Sequence, residues 1–224
     1  MIKKFIFVIC IILIILVLAF IFLYSIDFEL SNIGEERLEV ETIVSNTDYN
    51  ENGIPDSVDF VNGARKEAVN KTRYIDKYYS GGYPPEDEGV CTDVIWRALY
   101  EAGYSLKDLV DEDIKRHTKD YRRVNGSPEP NIDFRRVPNL VAYLDKVASQ
   151  LTLEVIPWDA ENLKEWQGGD IVVFSEGFNH IGIVSDKRNK NGVPLLIHNS
   201  WGFAREENAL LYSGEIVRHY RFSV

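Results

Sequence analysis

The chain has 224 residues and a formal net charge of −10, with a sequence pI of about 5.0. This acidic balance argues against a protein that binds nucleic-acid phosphates, since such proteins present a basic face. Hydrophobic residues make up 45% and aromatic residues 12% of the chain, which predicts a folded domain rather than a disordered one. The two cysteines are too few for a disulfide scaffold.

The N-terminal segment 1–26 has the composition of a cytoplasmic tail and a membrane anchor. Residues 5–23 form an unbroken apolar run after Lys3 and Lys4, and a helix of about 20 residues crosses a bilayer core. The run is longer than the ~7–15 apolar residues of a signal peptide and lacks a small-residue cleavage site. We expect one retained transmembrane helix, with a cleaved signal peptide as the alternative. The lysines indicate a single-pass protein of the cell membrane whose C-terminal domain is extracellular.

Residues 27–47 are acidic and weakly patterned, which predicts a solvated linker. The segment 48–59 reads DYNENGIPDSVD and resembles the calcium loops of EF-hand, dockerin and thrombospondin type-3 repeats. Its oxygen-bearing side chains surround a glycine at the spacing with which such loops hold calcium. A turn that binds no metal is the alternative, because Asn, Asp and Gly also form turns. The expected calcium ligands are Asp48, Asn50, Asn52, Asp56, Asp59 and the carbonyl of Ile54.

Cys91 is the only cysteine after the N-terminal segment, and its position is informative. It follows a loop rich in glycine and proline (81–89) and begins a helical apolar pattern that ends near Gly103. The free N–H groups at a helix N-terminus stabilise a thiolate and can receive an oxyanion. We therefore expect the pKa of the Cys91 thiol to be lowered and the thiol to act as a nucleophile. A buried structural cysteine is the alternative.

Two predicted antiparallel strands carry histidines at ends that meet. The sequence GDIVVF (169–174) predicts a short buried strand, and the next strand begins at His180. An Asn-Gly hairpin turn at 191–192 returns the chain in a strand that ends with His198 and Asn199. Because successive strand residues point to opposite faces, only one of these two can face His180.

The glycine-rich loop before Cys91, the strand at 169–174 and the two strands with His180 and His198 follow one another in the chain. In this order they resemble the NlpC and CHAP branches of the papain-like cysteine hydrolases. The blocks GVCTDV (89–94), PNIDFRRVPNL (130–140) and HIGIVSD (180–186) are more closely similar to a bacterial family named only as a domain of unknown function, within the same superfamily. The resemblance covers roughly residues 74–222. It implies an α+β fold of the papain-like, NlpC type over 60–224, with N-terminal helices packed on a small antiparallel sheet of four to six strands.

The resemblance also implies a chemistry. Cys91 corresponds to the nucleophile, His180 to the general base and His198 to the polar third member, with Asn199 as the alternative third member because NSWG resembles papain itself. Such a cysteine peptidase or amidase would hydrolyse amide bonds, and the extracellular placement points to the peptide stems of cell-wall peptidoglycan. Acyl transfer to an amine would use the same residues. The alternative function is a non-catalytic module that binds the cell wall or a partner.

The segment between the two site regions contributes weaker signals. Helices are expected from Ser105 onward and over 139–149, where Pro138 suits a first helical turn. Arginines in this region could clamp a substrate carboxylate, but pairing with the protein's own acidic surface is the favoured interpretation. The sequence indicates no cofactor for catalysis and says nothing of the oligomeric state. The candidate substrate-binding residues are Tyr83, Asp93, Arg135 and Arg136.

Overall fold

A computed structural model describes residues 14–18, 36–175 and 179–222. The chain divides into two units, Met1–Arg37 and Leu38–Val224. In the first unit residues 14–18 are helical, and most of the expected anchor 5–23 lies outside the described residues. Over the described ranges, no helix has both the length and the apolar character that crossing a membrane requires. All elements named below lie in the second unit.

The described part of the second unit contains five α-helices. The helix Leu106–His117 confirms the helix expected from Ser105, and the helix Val137–Val147 begins ahead of the expected residue 139. Pro138 lies in the first turn of the latter helix, where a missing N–H removes no helical hydrogen bond. Two 3₁₀ turns cover Thr118–Asp120 and Asp133–Arg135. The helices are α1 (Asp56–Asn70), α2 (Cys91–Glu101), α3 (Leu106–His117), α4 (Val137–Val147) and α5 (Ala160–Lys164).

The described strands form one eight-stranded sheet in the order β2-β1-β7-β6-β5-β4-β8-β3. β1 pairs parallel to β2, and all other neighbours are antiparallel. The α+β class is confirmed, but the expected four to six strands are too few. The additional strands β1, β2 and β3 have two residues each, too short to show alternation in the sequence. The strands are β1 (Arg73–Tyr74), β2 (Glu88–Gly89), β3 (Ser149–Gln150), β4 (Ile171–Ser175), β5 (Asn179–Arg188), β6 (Pro194–Ser200), β7 (Phe203–Glu207) and β8 (Glu215–Arg221).

The central strands of the sheet are buried on both faces. On β4, Ile171 and Val173 join the core beneath the helices, while Val172 and Phe174 join a second cluster on the opposite face with Leu163 of α5. Burial on both faces explains why this strand reads as a continuous apolar run rather than as an alternating pattern. The prediction of a buried strand in this segment is confirmed.

The helices α1 and α2 pack closely against each other. At Gly63 of α1, an added Cβ would lie 2.8 Å from the carbonyl oxygen of Arg97 and 2.9 Å from Cα of Ala98 in α2. A side chain at this position would therefore push the two helices apart. Cys91 is the first residue of α2, and the backbone of Ile181 on β5 lies within hydrogen-bond reach of its thiol. The fold thus places the N-terminus of α2 beside the end of β5 that carries His180.

Candidate active site

The N-terminus of α2 is held by a buried ion pair. Arg135 donates from Nε to Oδ1 of Asp93 at 2.7 Å and from Nη2 to Oδ2 at 2.8 Å, and both side chains are 1% exposed. Asp93 also accepts from the backbone N–H of Val90 at 2.7 Å, while Thr92 donates its hydroxyl proton to the carbonyl oxygen of Arg135 at 3.0 Å. Bidentate pairing satisfies both charges. These contacts orient the turn that carries Cys91.

The four candidate substrate-binding residues thus separate into two groups. Asp93 and Arg135 neutralise each other, which agrees with the favoured interpretation of the arginines except that the acidic partner is buried rather than on the surface. Arg136 donates to Asp133 at 2.8 Å and is 30% exposed. Tyr83 is 44% exposed, and its ring packs edge-on against Phe134 with centroids 5.3 Å apart. Only Tyr83 and Arg136, of these four, offer surface to a ligand.

The thiol of Cys91 is buried, with 8% of the residue exposed. Burial raises the pKa of Cys91 to about 11, against the opposing effect of the backbone amides of Ile181 and Thr92. The expectation of a lowered pKa is therefore wrong for the unliganded protein. A helix N-terminus favours the thiolate, but loss of hydration disfavours it more strongly in this position. The thiol is neutral at neutral pH.

The structure joins His180 and His198 directly. Nε2 of His180 and Nδ1 of His198 lie 2.7 Å apart, and the ring centroids are separated by 5.0 Å. Ile183 pairs with Ile197, so His198 lies across from Gly182. An added Cβ on Gly182 would approach the Cβ of His198 to 3.2 Å. Glycine at this position therefore lets His198 lean toward His180.

Asn199 faces away from His180. It is 1% exposed, and its Nδ2 donates to the carbonyl oxygens of Thr72 at 3.2 Å and Gly89 at 3.3 Å. The predicted alternation of the two side chains is thus confirmed. The structure brings His198 rather than Asn199 to His180, and Asn199 ties β6 to the segment that precedes Cys91.

Both imidazoles are neutral at neutral pH. Burial, and then repulsion from His198, lower the pKa of His180 to about 4. Burial also lowers the pKa of His198, against the opposing effect of the carboxylate of Glu207. Nε2 of His198 lies 3.1 Å from Oε1 of Glu207. His180 is therefore able to accept a proton, and Glu207 is a site residue that the sequence analysis missed.

Tyr74 is a second residue that the sequence did not reveal. It pairs with Gly89 in the short parallel ladder that immediately precedes α2. Burial, and then the charge of a Cys91 thiolate, raise the pKa of its phenol, which places the phenol within electrostatic reach of the sulfur. The two-residue strand that positions it has no sequence signal. The Trp-Gly turn at 201–202 sets a hairpin register that pairs Arg205 with His198 and places Glu207 two residues further on the same face. That register is the signal from which Glu207 could have been found.

The loop 48–59 closes on itself through its own polar groups. Asp48 accepts from the backbone N–H of Asn52 at 3.1 Å and of Gly53 at 2.8 Å, and Gly53 has a φ of 85°. The amide groups of Asn50 and Asn52 both donate to Oδ2 of Asp59, at 3.3 Å and 2.9 Å. Three of the expected ligand side chains therefore converge in this loop.

The carboxylate of Asp56 makes its hydrogen bonds outside the cluster of Asn50, Asn52 and Asp59. Its carboxylate accepts from the backbone N–H of Tyr49 at 2.8 Å and from the hydroxyl of Tyr104 at 2.7 Å. Ile54 donates its N–H to Oδ1 of Asn52 at 2.7 Å. Over the described residues, no cluster of three or more His, Cys, Asp and Glu side chains is arranged to hold a metal ion. Any cation here would depend on amide and carbonyl oxygens as well as carboxylates.

The lowered pKa of His180 predicts a loss of stability in mild acid. Between pH 6.5, the ordinary pKa, and pH 4, the unfolded chain binds a proton that folded His180 does not bind. Protonation therefore favours unfolding, and stability falls as the pH falls. We expect the free energy of unfolding to drop by about 2 kcal/mol more in the wild type than in His180→Gln between pH 7 and 4.5. Urea titrations at both pH values measure this difference, and equal decreases in the two proteins would contradict it.

Comparison with known proteins gives a family. The model of the family described as "Domain of unknown function (DUF1287)" matches residues 61–222. The chain is 37% identical over 155 residues to "Uncharacterized protein YijF" of Escherichia coli (strain K12), covering 67% of this chain and 72% of that protein. No solved structure matches. The matched residues include Cys91, His180 and His198, and the chain belongs to the DUF1287 family.

Proposed function

We propose that this protein is a cysteine hydrolase of the papain-like, NlpC type that cleaves amide bonds. The observation that carries the proposal is the 2.7 Å hydrogen bond between His180 and His198, at the end of β5 that the Cys91 thiol adjoins. A nucleophile, a base and a partner that orients the base are the elements of thiol catalysis. The resemblance to NlpC and CHAP enzymes supports the same assignment.

Because the Cys91 thiol and the His180 imidazole are both neutral, the mechanism begins with general-base catalysis rather than with a preformed ion pair. As the sulfur of Cys91 attacks the amide carbon, the S–H bond breaks and the proton passes to His180. The new S–C bond forms while the carbonyl electron pair moves to oxygen, where backbone N–H groups near the start of α2 stabilise the charge. The C–N bond then breaks, and the leaving amine takes the proton from His180. Water releases the acyl group and restores the thiol.

We assign the substrate to the peptide stems of peptidoglycan. The assignment rests on the expected extracellular position of the domain and on the enzymes that it resembles. The full-length chain, purified in mild detergent, would be incubated with purified peptidoglycan, and the soluble products would be identified by mass spectrometry. Masses of stem-peptide fragments would support the proposal and identify the bond. If an amine is added, a product carrying that amine would indicate acyl transfer rather than hydrolysis.

A non-catalytic binding module is the second candidate. Its supporting observation is the thiol itself, since burial and a pKa of about 11 are typical of a structural cysteine. A binding module would retain intact peptidoglycan in a sedimentation assay and release no fragments. Cys91→Ala would leave that retention unchanged. Release of stem fragments by the wild type would exclude this candidate.

We propose that residues 5–23 anchor the chain in the cell membrane with the domain outside. The apolar length of the run and the two preceding lysines support this topology. Extraction of membranes with carbonate at high pH should leave the protein in the pellet. Protease added to intact spheroplasts should degrade the domain. Release into the carbonate supernatant would contradict the anchor.

We propose that the loop 48–59 holds a structural calcium ion. Support comes from the spacing of the oxygen-bearing side chains around Gly53. In EF-hand loops the ninth position often binds through water, which accommodates the turned Asp56. We expect removal of calcium with a chelator to lower the melting temperature of the wild type by several degrees, because a bound ion stabilises only the folded state.

The matched variant for this calcium experiment is Asp48→Asn. It keeps the side-chain size and an oxygen for the turn, but it removes one charge from the loop. Its melting temperature should respond less to calcium than that of the wild type. Equal melting temperatures of the wild type with calcium and with chelator would overturn the calcium proposal without affecting the hydrolase proposal.

A further inference from the structure

Three hydrogen-bonded side chains lead from the candidate site toward β7. We call the series His180, His198 and Glu207 the relay. His180 contacts His198 at 2.7 Å, and His198 contacts Glu207 at 3.1 Å through its other ring nitrogen. Glu207 lies on β7, which pairs with β6, and its side chain is 43% exposed whereas that of His198 is 5% exposed. The carboxylate is thus the solvent-facing end of a buried relay.

The donors and acceptors in the relay follow from Glu207, its last residue. A carboxylate only accepts hydrogen bonds, so Nε2 of His198 must carry the proton that it donates to Glu207. A neutral imidazole has one N–H, and Nδ1 of His198 is then an acceptor. Nε2 of His180 must therefore be the donor to His198. The nitrogen of His180 left with a free lone pair is Nδ1.

We propose that Glu207 is a positioning residue that sets the tautomers of both histidines and so leaves Nδ1 of His180 as the basic nitrogen. This inference rests on the proposed hydrolase function, in which His180 takes the thiol proton. Without the carboxylate, His198 can also carry its proton on Nδ1 and donate it to His180. Nε2 of His180 would then be the acceptor and Nδ1 would hold the proton, which leaves no lone pair on Nδ1 for the thiol proton.

The other charged group near this end of the relay does not replace Glu207. Nη1 of Arg205 lies 4.0 Å from Oε1 of Glu207, and Arg205 lowers the pKa of His198 while Glu207 raises it. A cation has no lone pair with which to accept the Nε2 proton of His198. Of these two neighbours, the carboxylate is the one able to select the tautomer. In metal sites, removing an acceptor that orients a histidine commonly lowers affinity or activity by about 10- to 100-fold, and we expect an effect of that size here.

Nuclear magnetic resonance tests the inference without any assay of activity. The chain contains four histidines, so two-bond ¹H–¹⁵N correlation spectra of ¹⁵N-histidine-labelled protein can be assigned with single histidine variants. In the wild type we expect the Nε2–H tautomer for both His180 and His198. In Glu207→Ala we expect a fraction of both rings in the Nδ1–H form. In Glu207→Gln the amide oxygen still accepts, and the wild-type tautomers should be largely restored.

Glu215→Gln is the matched control, because Glu215 is an exposed carboxylate of the same sheet. It should leave the tautomers of both rings unchanged. Wild-type tautomers in Glu207→Ala would overturn the inference, whatever the protein hydrolyses. If Glu207→Ala does not fold, the wild-type spectrum decides alone, since an Nδ1–H tautomer of His180 in the wild type is incompatible with the relay.

The expected kinetic effect of the Glu207 variants, unlike their spectra, depends on the proposed hydrolase function. With a stem-peptide substrate, we expect kcat of Glu207→Ala to fall about 10- to 100-fold with little change in KM, and Glu207→Gln to recover part of the loss. A change in KM alone would overturn the positioning role. Absence of hydrolysis by the wild type would refute the hydrolase proposal, while the spectra would still report whether Glu207 sets the tautomers.

Discussion

Replacing Cys91 with alanine is expected to reduce the release of stem peptides by at least about 10³-fold. In the proposed mechanism the sulfur forms the covalent acyl intermediate, while His180 transfers the proton and His198 orients His180. The same substitution removes a small side chain from the core, so the variant should remain folded. Mass spectrometry of soluble products measures the loss, and circular dichroism verifies the fold.

Cys10→Ala provides the matched control, because it removes the other cysteine of the chain. It should release stem peptides at the wild-type rate. Cys91→Ser keeps the size of the nucleophile but not its reactivity, and it should resemble Cys91→Ala. Retention of more than a few per cent of the activity in Cys91→Ala would contradict a thiol nucleophile and return the protein to the binding-module interpretation.

Replacing His198 with alanine is expected to lower kcat/KM by about 10²- to 10³-fold, because His180 loses the partner that orients it. Asn199→Ala should behave differently. Asn199 bonds two carbonyl oxygens in the interior, so its loss should destabilise the fold by about 1–2 kcal/mol. Once folded, Asn199→Ala should keep a kcat close to that of the wild type.

The two variants are measured side by side, by steady-state kinetics and by urea unfolding. A large fall in kcat for Asn199→Ala, with His198→Ala close to the wild type, would reverse the assignment of the third member. His198→Gln adds a finer comparison, since an amide can accept from Nε2 of His180. It should recover part of the activity that His198→Ala loses.

The parts of the fold that were predicted from the sequence are those with a local signal. The apolar run at 171–174 and the Asn-Gly turn at 191–192 indicated strands that the structure contains, and alternation separated His198 from Asn199. The strands β1 and β3 are different, because two residues cannot show a period. These short strands form only because the neighbouring strands offer free edges, which is a property of the tertiary fold.

The electrostatic state of the site was beyond the reach of the sequence. The position of Cys91 at a helix start was predicted, but its pKa depends on burial by residues far away in the chain. The ion pair between Asp93 and Arg135 joins residues that are 42 positions apart in the chain. The sequence alone could not decide between this pairing and a role of Arg135 in substrate binding. Glu207 carried no motif, because its role depends on its position diagonal to His198 in the β6–β7 hairpin.

The burial of Cys91 has a consequence for how the thiol resists oxidation. Its sulfur is the only one in residues 38–224. Peroxides and disulfides react with the thiolate form, of which a thiol with a pKa of about 11 holds very little at neutral pH. Burial also keeps the sulfurs of two copies apart, which disfavours a disulfide between them. Low exposure and a neutral thiol thus both slow oxidation of this sulfur.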